Sequence, residues 1–169
     1  MADTRRRFLK WATALGSVLS GAAIGFPALR AFLSPAFQKP SAERWIKVGE
    51  VDQIEQGIPT RLDFTETVND AWVETRAMRG VWIYTDDGEQ FTVYNGQCTH
   101  LGCSYAFEKE NNRFHCPCHH GLFDMKSGAV TGGPPPRPLD KLETKIENGV
   151  LYVAFRNFRA GIPEKIPVA

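Results

Sequence analysis

Two short boxes concentrate the chemistry of this chain. Cys98-Thr99-His100-Leu101-Gly102-Cys103 is followed, after twelve residues, by Cys116-Pro117-Cys118-His119; together they hold all four cysteines and two of the four histidines within 22 residues. Thiolates and imidazoles are metal ligands. Two of each can hold a [2Fe–2S] core in which two histidines replace two thiolates on one iron. The exchange removes negative charge and lifts the potential from about −400 mV into a range of about −150 to +300 mV. In that range a quinol can give up an electron. A histidine ligand also keeps a second ring nitrogen that can carry or release a proton, and a quinol sheds electrons and protons together. Two blander chemistries use the same residue types. A tetrahedral zinc ion takes Cys and His ligands, but it has no use for the remaining two cysteines. Two plain disulfides would leave the Cys-x-His and Cys-x-x-His placements unexplained. Spacing alone leaves the second box open between Cys116 with His119 and Cys118 with His120.

Both boxes resemble those of the Rieske iron–sulfur family. The resemblance implies a [2Fe–2S] cluster held by Cys98, His100, Cys116 and His119, and a disulfide between Cys103 and Cys118 that joins the two ligand loops. It also implies a catalytic part for His119 and His100, whose free ring nitrogens would accept a hydrogen bond from quinol. His120 stands where many members have glycine and is expected near the cluster without binding it, as is Leu101. His115 reads as an ordinary strand residue. The run Gly132-Gly133-Pro134-Pro135-Pro136-Arg137-Pro138-Leu139 resembles the proline loop that covers the cluster in quinol-oxidising members. Proline fixes φ and removes a backbone donor, so this is a stiff lid, with Pro134 and Pro135 expected near the cluster. One departure matters. Members often continue His-Gly-Ser-x-Tyr, with both hydroxyls bonding sulfur, whereas this chain runs His119-His120-Gly121-Leu122-Phe123. Hydrogen bonds to sulfur favour the reduced, more negative cluster and raise its potential. Gly121 and Phe123 offer none, which implies a lower potential, suited to menaquinol.

The rest of the chain must carry and place these boxes. Thr4-Arg5-Arg6-Arg7-Phe8-Leu9-Lys10 matches a twin-arginine export signal, within a cytoplasmic segment of residues 1–10. Residues 11–33 read as a transmembrane anchor, in which Trp11 to Leu29 carry no charge. Nineteen helical residues reach about 28 Å, close to a hydrocarbon thickness of about 30 Å. A cleaved signal is the competing reading. Four basic residues before the span place the N-terminus in the cytoplasm and the rest on the outer side of the cell membrane, where a disulfide persists. Residues 34–43 are polar with two prolines and read as a flexible tether. Residues 44–169 read as one mainly β domain, with strands at Trp45–Val48, Thr60–Thr65, Ala71–Arg76, Gly80–Thr85, Phe91–Tyr94, Arg113–Cys116, Leu142–Glu147 and Val150–Phe155. Asp86-Asp87-Gly88 and Asn148-Gly149 read as hairpin turns. The family resemblance implies an antiparallel β-sandwich with a cluster-binding subdomain inserted near residues 95–130 and the proline loop at 132–139.

Charge excludes one class of partner. The chain has 20 basic and 19 acidic residues. Arg5, Arg6, Arg7, Lys10, Arg30 and Asp3 belong to the anchor region, which leaves 15 against 18 and a net −3 elsewhere. Such a domain has no electrostatic footprint for nucleic acid. The resemblance implies the iron–sulfur subunit of a cytochrome bc-type quinol:cytochrome c oxidoreductase, inactive with quinol on its own. Its partners would be quinol, in particular menaquinol, a cytochrome b subunit, a c-type haem subunit or cytochrome c, and membrane lipid. The alternative is the small electron-relay subunit of an exported molybdenum oxidase, as in arsenite oxidase. A Rieske oxygenase needs a second, mononuclear-iron domain, for which 169 residues leave no room.

Overall fold

The computed structural model describes residues 2–37, 44–70 and 73–168. The chain divides into two compact units, Met1–Pro40 and Ser41–Ala169. The first is a single helix, α1, over Ala2–Phe37. It is longer at both ends than the expected span. The arginine run lies within it, and so do residues 34–37 of the expected tether; residues 38–43 lie outside the described residues. Trp11, Leu15, Val18, Leu19, Ile24 and Phe26 all point outward and exposed. A helix that is apolar all round needs a covering, and this one is long and apolar enough to cross a membrane.

The second unit is built on a six-stranded antiparallel sheet. Its strands are β1 (Arg44–Glu50), β2 (Thr60–Asp70), β3 (Val73–Tyr84), β4 (Thr92–Asn95), β9 (Lys141–Glu147) and β10 (Val150–Phe155), in the order β1-β10-β9-β4-β3-β2. Where two strands were expected, at 71–76 and 80–85, one continuous β3 runs, with Ala71 and Trp72 outside the described residues. Asn148 and Gly149 close the β9–β10 hairpin with φ of 51° and 76°, the pair of positive values that a type I′ turn demands.

Period-two alternation splits β3 between two cores. Trp82 lies opposite Tyr94, and Ile83 opposite Val93. Val81, Ile83 and Val93 join Leu142, Leu151, Val153 and Phe155 in one buried cluster. Phe64 of β2 meets Phe155 of β10 edge-on at 4.9 Å. These strands are far apart in the sheet order, so the sheet folds over on itself as a sandwich. Each fully buried side chain here contributes about 1.5–3 kcal/mol.

Trp82 and Tyr94 face the other core, shared with an inserted subdomain. β4 pairs directly with β9 through Val93↔Leu142 and Tyr94↔Lys141. The chain between them forms a four-stranded antiparallel sheet of β5 (Ala106–Glu108), β6 (Arg113–Cys116), β7 (Gly121–Asp124) and β8 (Val130–Gly132). Phe114, Phe123 and Tyr105 are its buried face. A final pair, β11 (Asn157–Phe158) and β12 (Pro167–Val168), lies beyond β10.

Candidate metal centre

The first box is the connection from β4 into β5, and it is folded tightly on itself. Cys98 N–H donates to Cys103 O at 2.7 Å and Gly102 N–H to Cys98 O at 2.9 Å, while Gln97 bridges Ser104. This closure turns Cys98 and Thr99 inward, both buried, and leaves Leu101 at the tip, 62% exposed. Burial pushes the Cys98 thiol up to about 11, against the pull of the His100 and Leu101 N–H groups that face its sulfur. Cys116 beside it pushes the same way as burial.

The second box is the β6–β7 turn. Cys116 pairs with Gly121 in register, so residues 117–120 form the loop. Strand alternation buries Cys116 and Phe114, while Cys118, His119 and His120 reach solvent. His120 adopts φ of 56°.

A disulfide joins Cys103 to Cys118, with 6.7 Å between their α-carbons. Cys98 and Cys116 are free and buried, so two plain disulfides do not describe this structure. Both thiols lie in the core cluster with Tyr105, Phe114 and Phe123. On the outer side, the His100 and His119 rings meet edge to face with centroids 4.8 Å apart. The loops therefore bring Cys98 to Cys116 in the core and His100 to His119 on the outer side. That donor set fits a mixed-ligand [2Fe–2S] centre. His120 turns instead to His115, which lies in β6 as expected, with Nδ1 to Nε2 at 3.3 Å.

The proline run lies on the second box. A β-carbon at Gly133, whose φ is 82°, would stand 2.4 Å from His120 O, so only glycine lets the chain pass this close. Pro135 is buried, Pro134 is exposed, and a β-carbon at Gly121 would stand 2.8 Å from Pro135 Cγ. Gly121 is thus glycine because the lid occupies the space. Phe123 is fully buried opposite Phe114 and 6.1 Å from Tyr105.

Three residues that sequence reading passed over tie the lid down. Arg137 donates Nε and Nη2 to the Asp140 carboxylate at 3.0 and 2.7 Å, and Nη1 to Ile162 O at 2.6 Å. Its own carbonyl accepts from Thr99 Oγ1 at 2.8 Å. Gly161 N–H donates to Thr99 O at 2.9 Å. Arg137, Asp140 and Thr99 thereby link lid, first box and C-terminal segment. The available signal was a lone arginine inside a proline run, with an aspartate three residues on.

Comparison with known proteins converges on this site. Residues 44–143 match the Rieske [2Fe–2S] domain. The menaquinol:cytochrome c reductase iron–sulfur subunit of Geobacillus thermodenitrificans is 34% identical, over 89% of this chain and 90% of the relative. The subunit of the same name from Bacillus subtilis is 32% identical over the same shares. Among solved structures, the soluble domain of Rieske protein II from Sulfolobus acidocaldarius matches with a TM-score of 0.53 and 18% identity, over 75% of this chain and 86% of that one.

Proposed function

This chain belongs to the Rieske [2Fe–2S] family, and from that membership we propose that it is the quinol-oxidising, electron-carrying subunit of a membrane cytochrome bc-type complex, with menaquinol as donor. The observation that carries the proposal is the pair of imidazoles, His100 and His119, meeting at 4.8 Å on two cross-linked loops, with His119 exposed. The relatives named above, alike over about nine-tenths of both chains, support the choice of complex.

In this reading Cys98, Cys116, His100 and His119 would hold the cluster, the cysteines from the buried side and the histidines from the outer side. The bound cluster supplies a one-electron acceptor in the potential range of about −150 to +300 mV. The protein does the rest. His119, which is exposed, would offer a ring nitrogen as acceptor for the quinol hydroxyl and take up its proton. The disulfide holds the two loops in register. Pro135 and the lid keep water from the sulfur side. Thr99 and Arg137 fix the backbone from which His100 projects. The first electron would pass to a c-type haem subunit or cytochrome c, and the second would go to a cytochrome b subunit as the second proton leaves the quinol for solvent. α1 anchors the subunit in the cell membrane with its N-terminus in the cytoplasm and the cluster domain outside.

Mild extraction of the tagged full chain from its native membranes tests this. Co-purification with a b-type cytochrome, and quinol oxidation by that assembly but not by the chain alone, is the expected result. Co-purification with a molybdopterin subunit and no b haem would overturn it.

A further inference from the structure

Glu108, His115 and His120 form a second polar group, separate from the cluster residues. Glu108 ends β5 opposite Arg113. His115 lies two residues beyond Arg113 on β6, so period-two alternation puts it on the same face. The Glu108 carboxylate is oriented from both sides. Oε2 accepts from Arg113 Nε at 2.8 Å and from Asn111 Nδ2 at 3.1 Å. Oε1 stands 2.6 Å from His115 Nδ1. These partners, Arg113 foremost, hold the carboxyl below the usual glutamate range. A carboxylate oxygen only accepts, so His115 Nδ1 donates to Glu108, and the other ring nitrogen, Nε2, faces His120 Nδ1 at 3.3 Å.

Two features of this arrangement exceed a plain surface hydrogen bond. A histidine whose remote N–H is held by a carboxylate is the recurrent outer shell of a metal-bound imidazole, because it fixes tautomer and ring direction. The nitrogen separation is also right. A tetrahedral ion with bonds of about 2.0–2.1 Å spreads two nitrogens roughly 3.3 Å apart. Residue 120 holds its ring there from a φ of 56°, a conformation that few non-glycine residues adopt, histidine being one of the types enriched in it. An outlier of this kind is a reason to look for a role.

We propose that His115 Nε2 and His120 Nδ1 are the protein ligands of a surface site for a borderline divalent ion of the Zn²⁺, Cu²⁺ and Ni²⁺ class, with Glu108 as the oriented partner of His115. Water completes the coordination, as His120 is exposed and the His115 side chain is 23% exposed. The ion sits one residue from His119 and ties β6 to the turn beneath the lid.

Isothermal titration of Zn²⁺ into the cluster-loaded full chain in detergent tests the site. The wild type should bind one saturable equivalent. His120→Gly and His115→Gln should lose it. Glu108→Gln should weaken it about 10- to 100-fold, the usual cost of losing such a partner. His120→Gly suits the backbone conformation, and the cluster's visible spectrum reports that each variant is folded. The absence of a saturable equivalent in the wild type, or full affinity in His120→Gly, would overturn the proposal. A chain isolated without a cluster would count against the functional reading instead. The same substitutions still report on this pair, because they would remove one Zn²⁺ equivalent without touching any left on the vacant thiols.

Discussion

His119 and His120 are adjacent and differ in the neighbour each ring finds. His119 meets His100 across the two loops, while His120 stacks toward His115 with an interplanar angle of 18°. Replacing Cys98 or Cys116 by Ser, or His100 or His119 by Gln, should therefore abolish the visible and paramagnetic signals of the cluster, and His120→Gly should retain them. Loss of the signals in His120→Gly with retention in His119→Gln would reverse the assignment. Phe123 shares a buried cluster with both free cysteines, and we expect a hydroxyl in Phe123→Tyr to bond sulfur there; left buried without a partner it would cost about 1–3 kcal/mol. Bonded to sulfur it favours the reduced cluster, so the midpoint should rise, by about 59 mV if the preference is tenfold. A potentiometric titration at fixed pH reads this, and an unchanged or lowered midpoint would remove the case for a low-potential, menaquinol-linked centre. Gly121→Ser is a different experiment, because its β-carbon would meet Pro135 at 2.8 Å and shift the lid.

Among elements, the two ligand loops and the lid are held by few ties, each of which can be cut. Cys103→Ser or Cys118→Ser removes the cross-link between the loops. The cluster should still form and then bleach faster in air, as the loops regain freedom that the cross-link removed. Bleaching at the wild-type rate would show that packing alone holds them. Arg137→Met leaves the Asp140 carboxylate buried without its partner. Breaking such a pair from one side costs about 3–5 kcal/mol. A melting curve should show the loss, and cluster lifetime should fall with it because Ile162 O loses the same guanidinium, while the Thr99 bond to the backbone carbonyl at position 137 remains. The strands of the large sheet were legible in the sequence because they are long and alternate between two cores. β5, β7 and β8 were not, being three or four residues long and too short to show a period. The metal boxes were legible because ligand chemistry restricts residue type and spacing. The Arg137 ties, the seat of Pro135 on Gly121 and the Glu108–His115–His120 group were not. Each joins residues whose meeting depends on the finished fold, and no local period encodes that.

At the scale of the whole molecule, the order of assembly follows from burial. Cys98 and Cys116 are each 2% exposed, so a cluster cannot easily be inserted once the second core has closed around them. Assembly must accompany folding, and on the outside placement proposed above the folded domain then crosses the membrane. The Cys103–Cys118 disulfide has the opposite need, since cytosolic thiols are kept reduced and an outside location keeps the bond. Export of a folded, cluster-loaded domain reconciles the two, and Arg5-Arg6 ahead of the apolar stretch of α1 is the signal proposed to direct it. Arg5→Lys with Arg6→Lys keeps the charge that orients the helix while removing the arginine pair. This variant should leave its cluster domain on the cytoplasmic side, with the cluster signal present and both Cys103 and Cys118 open to alkylation. The wild type should show the same cluster signal with neither cysteine reactive. Protease protection in sealed membrane vesicles, combined with mass spectrometry of alkylated protein, separates these states. If the lysine variant reaches the outer side with its disulfide formed, the export route proposed here is wrong, and the arginines serve only as the positive flank of α1.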